Sequence, residues 1–321
     1  TIMDFLDFEK PIIELERRID ELKLTNTNAD TAIELDDEIE RLQKKSESLT
    51  RKIFGDLSEW QIAQLARHPL RPKSIQVIES ISKDFQELHG DRMYADDSSI
   101  VSGLAKIESQ SVMFIAQEKG NNTNEKMKRN FGMPRPEGYR KAQRMMKLAE
   151  KFSIPIITII DTPGAFPGVG AEERGQSEAI ARNLFTLASL QTPIINLVLG
   201  EGGSGGALAI GMGDKLIMLE YSIYSVISPE ACSSILWRTP DETETAAEAM
   251  GISSGRLNEL GLVDEIIEEP LGGFHRNPNE TYTLIKRSII DSLQTIKSID
   301  PETLLEKRRA KYKAIGEFNE N

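Results

Sequence analysis

The chain has 321 residues, 39% of them hydrophobic and 28% charged, enough to bury one large core with a smaller appendage. A formal charge of −12 argues against nucleic acid or an anionic membrane as partner, and a single cysteine, Cys232, excludes a disulfide framework or a cysteine-built zinc site from this chain alone. The opening Thr-Ile-Met-Asp-Phe-Leu-Asp-Phe-Glu has no apolar signal core, no later run approaches a membrane span, and His68, His89 and His275 lack ligand spacing, so a cytoplasmic protein without its own metal is expected.

Ile12, Leu15, Ile19 and Leu22 recur at spacings of three and four, and the pattern resumes after the polar stretch Thr25 to Asp30 with Leu35, Ile39, Leu42, Leu49 and Ile53. This predicts an αα-hairpin with a coiled-coil-like seam, kept short because Ser46 breaks the stripe. Trp60 to Arg67 reads as a helix, Pro69 and Pro72 as a hinge, and Ile75 to Leu88 as an amphipathic stretch. The expected division is a helical hairpin and linker over 1–72 and a catalytic domain over 73–321. Ile100 to Ile107 and Ser111 to Gln117 read as paired strands, followed by a helix from Pro136 to Phe152. Ile154 to Ile160, Pro193 to Leu199 and Leu216 to Leu219 are nearly continuous apolar runs separated by helices at 171–190 and 204–212. Such strands are buried on both faces, which implies a mostly parallel α/β sheet. Val263 to Ile267 adds a late strand, and helices near 279–297 and 301–315 close the chain.

Five glycines in seven residues, within Gly200-Glu-Gly-Gly-Ser-Gly-Gly-Ala207, follow a strand and enter a small apolar helix. That order suits an oxyanion hole, because glycines let the backbone approach a ligand and the first helical N–H groups lack internal partners. The stretch is not a Walker A loop, since Gly206 follows Gly205 where lysine is required, nor a Rossmann fingerprint, whose third glycine would fall on Leu208. It does fit the nucleophile elbow of a serine hydrolase with Ser204 as nucleophile, and Asp264 and His275 follow in that fold's order. Asp161-Thr-Pro-Gly164 leaves the preceding strand at its carboxyl end, where open α/β sheets place ligands, with Asp161 read as a turn cap. Glu172 and Glu173 read as helix-start acids. Between Glu125 and Lys151 the charge reverses: Lys126, Lys128, Arg129, Arg135, Arg140, Lys141, Arg144, Lys147 and Lys151 face only Glu125, Glu137 and Glu150 and form a candidate phosphate or carboxylate patch, about half of it explicable as a solvated helix face.

Arg129-Asn-Phe-Gly-Met-Pro-Arg-Pro-Glu-Gly-Tyr-Arg-Lys141, Ile160 to Glu178, Gly200 to Ala207 and Tyr224-Ser-Val-Ile-Ser-Pro-Glu230, taken together, closely resemble the carboxyltransferase α subunit of bacterial acetyl-CoA carboxylase. The resemblance runs from Phe5 to Gly273. It implies a crotonase-like ββα superhelix with the N-terminal hairpin as an extension. It also implies transfer of CO2 from carboxybiotin on a carrier protein to acetyl-CoA, giving malonyl-CoA for fatty acid synthesis. By the same resemblance Gly205 and Gly206 would supply backbone donors to the ureido oxygen of biotin, with Gly164, Ala165, Gly202, Gly203, Arg129 and Arg135 as substrate-binding candidates. The implied partners are a zinc-bearing β subunit in an α2β2 assembly, the biotin carboxyl carrier protein, and biotin carboxylase, which consumes the ATP. A crotonase-like enzyme acting on another acyl-CoA is the alternative within that fold. Where the family reads Gly-His-Gln-Lys-Gly-Arg before Thr-Lys, this chain has Ala116-Gln117-Glu118-Lys119-Gly120-Asn121 and then Thr123-Asn124, and Ala231 replaces a glycine.

Overall fold

The computed structural model describes residues 5–25 and 32–316. Residues 1–4 of the opening segment, and the expected polar connection beyond Thr25, lie outside the described residues. Helices α1 (Lys10–Thr25) and α2 (Ala32–Phe54) meet along Leu15, Ile19, Leu22, Ile39 and Leu42. The seam stops where Ser46 and Thr50 are buried in place of apolar residues, and Thr50 donates its hydroxyl to the Ser46 carbonyl at 2.8 Å. At its base the hairpin joins the rest of the chain, with Ile12 and Phe54 packing against Leu65 and Tyr221. Helix α3 (Glu59–Ala66) starts with a reciprocal cap, Ser58 accepting from the Gln61 amide and Gln61 accepting from the Ser58 amide.

The stretch expected to be one amphipathic segment divides into α4 (Ser74–Ile81) and the edge strand β1 (Lys83–Glu87), because Ser82 is extended and ends the helix. Strands β2 (Ile100–Ile107) and β3 (Gln110–Gln117) form an antiparallel pair, and α5 (Thr123–Lys128) and α6 (Pro136–Lys151) lead into β4 (Ile156–Thr162). The single helix expected over 171–190 is α7 (Val169–Glu173) and α8 (Gln176–Leu187), broken at Gly175 with φ +82°. Glu172 and Glu173 therefore close the short α7 and stay exposed rather than starting the long helix. After β5 (Ile194–Gly203) come α9 (Ser204–Leu208), β6 (Lys215–Leu219) and β7 (Ile223–Ser225).

Residues 229–259 hold α10 (Pro229–Leu236), α11 (Thr243–Met250) and α12 (Ser254–Glu259), too short for a periodic signal, before β8 (Glu265–Ile267), α13 (Pro278–Lys297) and α14 (Pro301–Lys313). The sheet runs β1-β2-β3-β4-β5-β6-β8, parallel from β3 onward, with β7 paired to the end of β5. Alternate strand residues explain the apolar runs. Ile157, Ile159, Ile195 and Leu197 face a layer with α4 and α13, while Ile156, Ile160, Ile194 and Val198 face α6 and α8.

Helix α14 is pinned by Arg308, 2% exposed, whose guanidinium binds both oxygens of Asp214 at 2.8 Å and the carbonyls of Leu187, Leu190 and Thr192. Removing the cation would strand Asp214 in the interior. Arg308→Ala is expected to lower the unfolding free energy by about 3–5 kcal/mol, read from the urea midpoint. A shift within error would show that α14 is held by its apolar contacts instead.

Candidate active site

Strands β4 and β5 end side by side, Thr162 opposite Gly202, so the Asp161–Gly164 loop and the glycine run meet as the sequence implied. Contact between them is close. A Cβ on Gly206 would lie 2.6 Å from both the Ala165 nitrogen and the Gly164 carbonyl carbon, and one on Gly203 2.2 Å from the Pro163 oxygen. A Cβ on Gly202 would lie 2.2 Å from the Tyr224 ring, so Gly202 and Gly203 are packing glycines beneath the loop. Gly205 differs: its added Cβ would meet only Ile180, at 3.7 Å, so steric exclusion of a side chain applies to Gly206 and not to Gly205. Gly164, at φ +152°, has open space where a Cβ would be.

Gly205 and Gly206 lie in the first turn of α9, after the Gly203 N-cap, where backbone amides have no acceptor within the helix. Their direction is imposed from behind. The Gly205 carbonyl accepts from Ala209 at 2.9 Å, and because the peptide is planar and trans, the Gly206 N–H points the opposite way. Gln117 Nε2 donates to the Gly206 carbonyl at 2.8 Å, while its Oε1 accepts from the Asp161 amide. Gln117, one of the departures from the family pattern, is thus a buried brace between β3, β4 and α9. Glu118 is buried as well, accepting from the Ile75 and Gly120 amides, and burial pushes its carboxyl up. Asn121 and Asn124 are exposed.

Below the loop runs a chain of buried charges. Lys119 Nζ lies 2.8 Å from Asp161 Oδ1 and 2.7 Å from Glu201 Oε1, and Arg67 reaches Glu201 Oε2 at 2.7 Å and Glu230 at 2.6 Å. Asp161 does not cap its own turn; its Oδ1 accepts from the Glu201 amide, and Thr162 Oγ1 accepts from the Gly164 amide instead. Burial opposes ionisation of Glu201, but Lys119 and Arg67 outweigh it and hold its carboxyl at about 2. Lys73, 6% exposed, is pushed down to about 8, chiefly by burial. Sequence reading missed Arg67, Glu201 and Glu230, which pair across more than 100 residues, and Lys73, whose burial no local signal marks.

The basic stretch is largely consumed by the loop before β2. Lys141 is fully buried against Asp96 and the Asp97 carbonyl, Arg140 pairs with Asp91, and Arg129 donates to the Ser98 carbonyl. Arg135 stacks over Phe166 at 4.8 Å and donates its amide to Asp97. Arg129 and Arg135 therefore shape the neighbouring loop, and neither guanidinium is a free surface cation.

The histidines, read as far apart, are not all so. His68 and His275 stack at 3.8 Å, and each Nε2 lies 3.2 Å from one oxygen of Glu9, the three offering ligand atoms within 4.8 Å. His68 Nδ1 accepts from the Leu70 amide, which makes Nε2 the protonated nitrogen, the opposite of what metal ligation at Nε2 requires. The group is built as a clasp fastening the N-terminal segment. It also removes the hydrolase reading: His275 is bound to Glu9, Asp264 is engaged by the Leu216 amide and Lys311, and Ser204, though exposed at φ +57°, has no base.

Residues 5–316 match the family described as acetyl co-enzyme A carboxylase carboxyltransferase-like. The chain belongs to that family. It is 57% identical over 317 residues to the acetyl-coenzyme A carboxylase carboxyl transferase subunit alpha of Thioalkalivibrio sulfidiphilus, covering 99% of both chains, and 58% identical to that of Tolumonas auensis, covering 98% of this chain and 99% of the other. It is thus a carboxyl transferase subunit. Among solved structures it superposes on transcarboxylase 12S with a TM-score of 0.57 at 20% identity, over 68% of this chain and 40% of that one. A Pseudomonas malonate decarboxylase hetero-tetramer in complex with coenzyme A gives 0.55 at 20%, over 66% and 85%. These neighbours establish the crotonase-like fold.

Glu201 titrates at about 2 when folded against an ordinary 4.5, so its stabilising contribution is complete above pH 4.5 and is lost as pH falls toward 2. Glu201→Gln should flatten the decline of the urea midpoint between pH 5 and 3. An acid limb as steep as the parent's would show that Lys119 and Arg67 do not stabilise this carboxylate.

Proposed function

We propose that Gly205 and Gly206 stabilise the ureido oxygen of biotin during transfer of CO2 to acetyl-CoA, in the carboxyltransferase half-reaction that makes malonyl-CoA for fatty acid synthesis. The observation that carries this reading is the pair of first-turn amides of α9, without an acceptor in their own helix, in a loop so close to the Gly164–Ala165 peptide that Gly206 admits no side chain. Carboxybiotin supplies CO2 and, once it has lost it, a negatively charged oxygen able to take a methyl proton from acetyl-CoA. This chain's part is to meet that charge with preorganised N–H donors, each worth about 3 kcal/mol of transition-state stabilisation. Gly164 and Ala165 form the opposite wall, with open space above Gly164.

The chain bears half of the site. Exposed apolar side chains lie on neighbouring loops and helices: Phe131, Val169 and Leu208, Ile235 and Leu236 on α10, and Trp237 just after it. A surface of this kind suits cover by a second subunit, here the zinc-bearing β chain in an α2β2 assembly, which would cradle the acyl-CoA and choose the acyl group. The biotin carboxyl carrier protein delivers biotin, and biotin carboxylase consumes the ATP. Residues 1–72 are read as the helical extension and 73–321 as the catalytic domain. No described helix is long and apolar enough to cross a membrane, in keeping with a cytoplasmic assembly.

Steric asymmetry makes the assignment testable with the co-expressed αβ pair, following malonyl-CoA-dependent carboxylation of free biotin. Gly206→Ala should reduce kcat at least about a hundredfold with unchanged assembly, Gly205→Ala should cost less, and Ser204→Ala should stay within a few-fold of the parent. A Gly206→Ala enzyme of ordinary activity would refute the amide assignment, and an inactive Ser204→Ala enzyme would restore the hydroxyl as a participant.

A further inference from the structure

The basic stretch leaves a remainder that carboxyl transfer does not use. The loop between β1 and β2 is rigidly seated: Asp91 Oδ1 accepts from the Met93, Tyr94 and Ala95 amides, its Oδ2 takes Arg140, and Asp96 takes Lys141 and the Gly90 amide. Both acids of the loop tip are thereby committed. Two arginines nonetheless converge there. Arg92 Nη1 and Arg144 Nη2 donate to the same His89 carbonyl, at 3.1 and 2.8 Å, and Arg144 Nε donates to the Gly90 carbonyl. Neither guanidinium forms an ion pair among the described residues.

Two cations sharing one neutral oxygen repel each other, so the arrangement costs free energy that a dianion between them would recover. Burial, with a smaller part from the neighbouring Arg92, lowers the Arg144 guanidinium from its ordinary value even though Asp96 and Asp91 act to raise it. Arg92 sits at φ +62°, a left-handed conformation rare for a side chain of this size, and this holds it at the loop tip. Gly90 to Ala95, Arg92 and Tyr94 among them, line a shallow, open depression of the surface. On the same loop the Tyr94 ring is 67% exposed and carries the Arg174 guanidinium 4.6 Å from its centroid.

We propose that Arg92 and Arg144 form a phosphate-binding subsite on the β1–β2 loop, with Tyr94 beside it as a platform for a planar ring. The ligand chemistry is a phosphate group, either free or borne by a nucleotide-containing molecule. Arginine suits this role because its planar fork grips phosphate oxygens in pairs. The subsite is built from side chains that take no part in the Gly206 loop, so it stands or falls independently of the amide assignment.

Calorimetric titration of the assembled αβ protein with inorganic phosphate, and separately with adenosine 3′,5′-bisphosphate, tests the proposal. Both probes should bind the parent, and Arg92→Gln, an exposed change that spares the fold, should weaken both about tenfold, with Arg92→Gln/Arg144→Gln weaker still. Tighter binding of the bisphosphate, lost in Tyr94→Ala, would assign the source to a nucleotide. Equal binding of the two would assign it to free phosphate. Heats indistinguishable between parent and the double variant, or no binding to the parent, would overturn the subsite. Lys151→Gln, at the far end of α6, should bind phosphate like the parent.

Discussion

The site depends on one buried chain of charges. Lys119 at the end of β3, Asp161 at the end of β4, Glu201 at the end of β5 and Arg67 at the end of α3 are linked in sequence by contacts of 2.7–2.8 Å. Backbone ladders fix strands relative to one another along their length, but they stop where the strands stop. The loops beyond β4 and β5, where the proposed site lies, begin past those ladders, so their relative position rests on these side chains. Each member is costly to bury alone and tolerable only with its partners. The network therefore favours one arrangement of the three strand ends.

Above this floor the glycine loop is shaped by exclusion as much as by attraction. Gly206 abuts the Gly164–Ala165 peptide so closely that a methyl group would force two backbones apart, and Gly203 stands in the same relation to Pro163. The first residues of α9 have no acceptor within their own helix, as at any helix N-terminus. Gln117 then reaches from β3 to hold the Gly206 carbonyl. A polar loop in such a position is normally mobile. Here packing against a neighbouring backbone replaces the rigidity that a longer helix would provide.

The N-terminal hairpin is bound to the rest of the chain by chemistry that the hydrophobic stripe does not contain. Glu9 holds His68 and His275, from segments nearly 60 and more than 260 residues away, while Arg276 pairs with Glu16. Apolar contact through Ile12 and Phe54 supplies the adhesion, and the clasp selects the register in which the hairpin sits.

Periodicity and composition by themselves determined the paired antiparallel strands, the apolar parallel strands buried on both faces, the helix at 136–152, the terminal helices and the meeting of the Asp161 and Gly200 loops. Each of these follows from local rules, since alternation, turn residues and strand polarity act over a few residues. The glycine motifs also carried the family and, with it, the pair of amides. Tertiary structure alone decided which polar groups are structural. Lys141 proved an interior cation and Glu118 an interior acid, and two of three scattered histidines became neighbours. It also separated Gly205 from Gly206, identical in sequence yet facing open space in one case and a peptide in the other. The physical reason is that burial, charge pairing and steric exclusion are properties of neighbours in space, and a chain of 321 residues brings together partners that no short window contains.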